Sequence, residues 1–116
     1  MPDPIPFPRP WHGASDRPDH PAVAALRAQR AEVDALLAFR HAPGGEKRAV
    51  AWWRLHGVRR MRIRMLTPQE AANLAALPPP PEEALDTWQR LRLRLGLLKL
   101  DQAAPPRRIA RILAEP

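Results

Sequence analysis

Guanidinium groups are the feature of this chain best suited to chemistry. Residues 46–66 read EKRAVAWWRLHGVRRMRIRML and set Lys47, Arg48, Arg54, Arg59, Arg60, Arg62 and Arg64 against a single acid, Glu46. That stretch carries almost all of the formal charge of +7, so the rest of the chain is nearly neutral. Such a cluster can bind anions. The planar fork of Arg donates two parallel hydrogen bonds to a phosphate or carboxylate, and each phosphate neutralised releases counterions. Met61, Ile63 and Met65 alternate with Arg60, Arg62 and Arg64. On a strand, the three Arg would form a row about 6.6 Å apart, with the apolar residues anchoring the other face in the core. The same cluster also suits an acidic protein surface, or a solvated face with no ligand.

The neighbouring Trp52 and Trp53 are types that stack on unpaired bases. On a helix, adjacent side chains point about 100° apart, so one is expected in the core and the other exposed or at an interface. Core packing is the better reading for either alone. Trp88, on an apolar stripe, reads as core.

Other chemistries find little support. There is no cysteine, which excludes disulfides, thiolate catalysis and Cys-based zinc sites. His12, His20, His41 and His56 do not pair at metal-ligand spacing, so no metal or other cofactor is expected. Of the hydroxyls, Ser15 lies in a Pro-rich stretch and Thr67 is placed to cap a helix, and no nucleophile has a base beside it. Glu82, Glu83 and Asp86 sit where the dipole of a helix start would place them. Asp19, Glu32 and Asp34 read as surface positions. Pro43-Gly44-Gly45-Glu46-Lys47 lacks the first glycine and the hydroxyl of a phosphate-binding loop. The chain is therefore expected not to be an enzyme.

The elements that would carry the cluster follow from punctuation and period. Pro at positions 2, 4, 6, 8, 10 and 18 marks residues 1–20 as an extended arm near polyproline II, with Ile5, Phe7 and Trp11 as apolar anchors for a protein neighbour. Residues 21–116 form the basic helical domain. Asp19 or His20, then Pro21, open a first helix over 20–40, with apolar positions 23, 26, 33, 36 and 37. A second helix covers 46–56 and stops at Gly57. Residues 58–66 fit either period, and Gly57 favours a strand or an extended link. Thr67-Pro68-Gln69-Glu70 starts a helix to about Leu77 with a capping box. Pro81-Glu82-Glu83 opens another, with Leu85, Trp88, Leu91, Leu95 and Leu98 as its stripe. A short basic helix spans 107–114.

The fold expected is thus mainly α: a small bundle of four to five short helices, with one short β element at 58–66 as an option, after an extended Pro-rich arm. No apolar run approaches the roughly 18 residues of a membrane span, and no signal peptide is seen. The sequence pI is about 11.5. Seventeen of the nineteen basic residues are Arg, and Tyr is absent. A GC-rich coding bias would account for that abundance, but not for its concentration in one segment. The expected role is a non-catalytic Arg-rich subunit contacting DNA or RNA backbone with little sequence preference. It would act inside a larger nucleoprotein or phage or virion assembly, in the cytoplasm or within the particle. An adaptor whose basic face binds an acidic partner is one alternative, and a free-standing DNA-binding regulator is another. No membrane partner is expected.

Overall fold

In a computed structural model, residues 20–74 and 77–115 are described, and all statements of structure concern these. They form five α-helices and no strand: α1 Pro21–His41, α2 Glu46–Arg64, α3 Pro68–Ala72, α4 Thr87–Arg94 and α5 Arg107–Ala114. Two 3₁₀ turns, Glu82–Ala84 and Leu100–Gln102, flank α4. The anticipated anchors Ile5, Phe7 and Trp11 lie outside the described residues.

Local signals explain most boundaries. The His20 Nδ1 accepts from the Ala22 N–H at 3.1 Å, and Pro21 takes the first helical position, where its missing N–H costs nothing. Ala42 ends α1 in an extended conformation ahead of Pro43, and Gly45 turns the chain at φ 75°. Thr67 caps α3: its Oγ1 accepts from the Glu70 N–H at 3.2 Å and lies 3.0 Å from the Glu70 carboxylate. The α3 helix ends at Ala72, short of the expected Leu77. The α5 helix occupies the anticipated residues 107–114.

Residues 58–66 do not form a strand. The α2 helix runs through Gly57 to Arg64. Its buried face, Ala49, Trp52, Trp53, Leu55, His56 and Arg59, keeps helical phase across the glycine. Burying that face outweighs the roughly 1 kcal/mol that a glycine costs a helix interior. The helix closes on a tight last turn, with the Met65 N–H bonding the Arg62 carbonyl at 2.9 Å and the Leu66 N–H that of Ile63 at 3.1 Å, and Thr67 is extended ahead of Pro68.

The helix expected to open at Pro81 is broken into pieces. A 3₁₀ turn covers Glu82–Ala84, and Asp86 then starts α4 by accepting from the Gln89 N–H at 2.8 Å. Gly96, at φ 72°, terminates it. The Leu97 N–H bonds back to the Arg92 carbonyl at 2.9 Å, and the Gly96 N–H to that of Leu93 at 3.1 Å, which is the Schellman arrangement.

The core gathers on α2. Phe39 from α1, Ala84 and Leu85 from the first 3₁₀ segment, Ala103, and Ile109 from α5 close around Ala49, Trp52, Trp53 and Leu55. Both tryptophans are buried, against the expectation for adjacent helical positions. Different elements cover them. The Trp52 Nε1–H donates to the Pro78 carbonyl at 3.1 Å and the Trp53 Nε1–H to that of Ala84. The two rings meet edge to face, with centroids 4.9 Å apart. Trp88, expected in the core, is 65% exposed, because α4 turns the side bearing Leu93 to the core and Trp88 lies on another side.

Candidate interaction surface

Folding divides the Arg cluster. Arg59 and Arg62 lie on one side of α2 and converge on Glu32 of α1. The Arg59 Nη2 donates to Glu32 Oε1 at 2.7 Å, and the Arg62 Nη1 donates to Oε2 at 2.6 Å. Glu32, expected at the surface, is buried together with Arg59. It shares the helical phase of Ala35, Leu36 and Phe39, which face the core. Burial pushes the Glu32 carboxyl up. The hydrogen bonds from Arg62 and Arg59, with their charges, outweigh burial and hold the carboxyl below its usual 4.5. Two cations of the expected phosphate-binding cluster, Arg59 and Arg62, are thus structural.

The other cations scatter. The Arg48 guanidinium lies 4.7 Å from the centroid of the Phe39 ring, a cation–π contact at the end of α1. Arg64 is exposed, with its Nη1 4.0 Å from the Met61 sulfur. Arg60 is exposed one turn before it, on the side of His56. Lys47 and Arg54 are exposed two turns apart on α2. No ion pair joins Lys47, Arg54, Arg60 or Arg64 to a carboxylate among the described residues. The row of three Arg at strand spacing does not exist, because the helix turns Arg62 to the side opposite Arg60 and Arg64, which stay one turn apart on the same side.

His56 is buried in the same layer. Its ring stacks on Trp52, with centroids 5.2 Å apart and planes at 24°, and meets Trp53 edge to face. Its buried Nε2 has no hydrogen-bond partner among the described residues. Burial pushes the imidazole below 6.5, and the Arg60 charge adds to this. The Leu100 backbone and the Asp101 charge oppose them.

What the fold assembles in place of an Arg row is an apolar groove of about 950 Å³. One wall is the side of α1 bearing Ala28, Ala31, Ala35 and Ala38, at intervals of three, four and three residues. The opposite wall is α2, with Val50, Trp53, Val58 and Met61, and Ile112 and Leu113 of α5 also line the groove. Small side chains on α1 keep the space open. Lys47 and Arg54 stand at its rim with Asp34 and Glu46. Glu46 is engaged by Arg108 at 2.8 Å, and Asp34 faces Arg30 at 3.9 Å. Among the described residues, the rim therefore leaves the two cations without an ion-pair partner. Sequence reading missed the alanines, although their spacing was a usable signal.

Among the described residues, no three His, Asp or Glu converge in a group that could hold a metal ion, and no helix is long and apolar enough to cross a membrane. No protein family, curated protein or solved structure matches the chain.

Proposed function

We propose that this protein is a non-catalytic assembly module that docks a protein neighbour in the groove between α1 and α2. The observation that carries this reading is the groove itself. It is open, lined by alanines and larger apolar side chains, and rimmed by Lys47 and Arg54, which have no ion-pair partner among the described residues. A contiguous apolar groove rimmed by charged side chains is the kind of surface that marks a protein-binding site. An amphipathic helix fits such a groove, laying its apolar stripe between the two walls. The two rim cations favour an occupant with acidic residues beside that stripe.

The test is a selection from a display library of helical peptides, with a groove-filled variant, Ala31→Glu, as the counter-selection bait. Ala31 is exposed on α1, so the change leaves the core intact. The expected winners carry apolar residues at intervals of three and four with acids alongside, and they do not bind Ala31→Glu. Enrichment that ignores this variant, or no enrichment, contradicts the reading.

A second reading, contact with nucleic-acid backbone, is supported by Arg60 and Arg64. They lie one turn apart, exposed, with no carboxylate in ion-pair range among the described residues. Under it, replacing both with Ala lowers the salt slope of oligonucleotide binding by about 0.9 per lost duplex contact, or about 0.7 for a single strand. An unchanged slope contradicts it.

A further inference from the structure

The α1 helix is apolar on two opposite sides. One side, with Glu32, Ala35, Leu36 and Phe39, packs on α2. The other carries Val23, Leu26, Val33 and Leu37, which are 42%, 65%, 49% and 45% exposed. These four, with Arg30 between them, recur at intervals of three and four residues over positions 23, 26, 30, 33 and 37. That is the spacing of a helix–helix seam. A surface helix ordinarily presents its polar side to water, so a second apolar stripe opposite the core marks an unfilled contact. The apolar positions 23, 26, 33, 36 and 37 of the sequence pattern divide in the structure: Leu36 packs against the core and the other four face solvent.

We propose that this outer stripe pairs with the same stripe of a second copy of the chain, the two α1 helices running antiparallel about a two-fold axis near the level of residue 32. Charge selects both the occupant and the direction. Arg30 interrupts the stripe, and Asp34 follows one turn later at its edge. A parallel pair would set Arg30 beside Arg30. In the antiparallel pair each Arg30 stands level with Asp34 of the second copy, while Leu26 meets Leu37 and Leu37 meets Leu26. Within one chain, Arg30 and Asp34 are 3.9 Å apart, with side chains 85% and 67% exposed, so their contact is weak and easily exchanged. The surface is therefore complementary to itself, as an isologous contact requires. It shares only Asp34 with the rim of the groove and does not depend on the docking proposed there.

The pairing is expected to be weak. A seam of four apolar residues per copy covers less than the roughly 800 Å² per partner of a standard interface. Dissociation in the micromolar range follows.

Sedimentation equilibrium on the full chain, from about 1 to 200 μM, tests this. The expected result is a monomer–dimer equilibrium that Leu26→Gln, on the solvent side of α1, weakens at least about tenfold with unchanged helix content. Arg30→Asp, which sets acid against acid, weakens it comparably. Combining Arg30→Asp with Asp34→Arg restores it. The absence of native cysteine allows a geometric check. When Leu26→Cys and Leu37→Cys chains are mixed and oxidised, the cross-link between the two sites is expected to dominate over either same-site cross-link. A monomer throughout the range, a dimer indifferent to Leu26→Gln, no rescue by the double charge swap, or dominant same-site cross-links would each overturn the proposal.

Discussion

Arg59 reaches across the α1–α2 interface to Glu32, Nη2 to Oε1 at 2.7 Å, with both side chains closed to more than a tenth of solvent contact. This pair turns the most charged segment of the sequence into a structural joint. Arg62 closes the other carboxylate oxygen at 2.6 Å, so one acid holds two cations. The joint fixes the phase of α2 against α1, and with it the groove between them.

Glu32→Gln removes the charge and keeps an acceptor. Breaking a buried pair by neutralising one partner leaves the other charge uncompensated. The expected loss is about 3 kcal/mol in urea unfolding, with the slope of the transition unchanged. Replacing Glu32 by Leu and both Arg59 and Arg62 by Met is expected to recover much of it, since no charge is then stranded. A loss below about 0.5 kcal/mol in the single variant would make the pair a surface contact in energetic terms.

Two titrations shape stability against pH. His56 is held below 6.5 in the folded state, so the unfolded chain binds its proton first. Stability is fully present above about pH 6.5 and is lost as pH falls from there through the folded value. Glu32 is held below 4.5, so its contribution is present above that value and is lost as pH falls through the lower folded one. Unfolding free energy measured against pH is expected to decline in two stages. His56→Phe, which keeps a ring against Trp52, removes the upper stage alone. An unaltered upper stage in His56→Phe would assign it to another group.

Glycine substitutions distinguish a helix that passes through Gly57 from one that stops there. Gly57 has no positive φ and open space where a Cβ would stand. Gly57→Ala is expected to stabilise the protein by about 0.5–1 kcal/mol. Gly96 has φ 72°, and Gly96→Ala is expected to destabilise by about 1 kcal/mol or more. Thermal denaturation of the two variants reads both signs. Destabilisation by Gly57→Ala would put a turn where the structure has helix.

The sequence carried the helical class and most starts, because caps are local. His20 with Pro21, Thr67 with Glu70, and the helix after Pro106 each act within one turn. It misplaced what depends on distant contacts. The Arg and apolar alternation over 60–65 fits two periods equally, and only burial against α1 decides for helix. Glu32 resembled a surface acid until two Arg some thirty residues later closed on it. Trp88 lies on an apolar stripe, yet Asp86 and Gly96 cut its helix to eight residues, and that helix meets the core through Leu93 instead. The candidate surface was the least legible part. The spacing of the alanines marks one side of a helix, but a groove exists only once two helices stand side by side.

The central claim is that the groove between α1 and α2, and not the Arg cluster, is where this protein meets its partner. Alanine-methyl NMR tests it most directly, because Ala28, Ala31, Ala35 and Ala38 line one wall. Titration with a peptide selected as above is expected to shift those four methyls together with Met61, and a 20-nucleotide single strand at physiological salt is expected to leave them in place. Peptide titration without movement of the four alanines, or an oligonucleotide that binds at that salt with shifts centred on Arg60 and Arg64, would contradict the account.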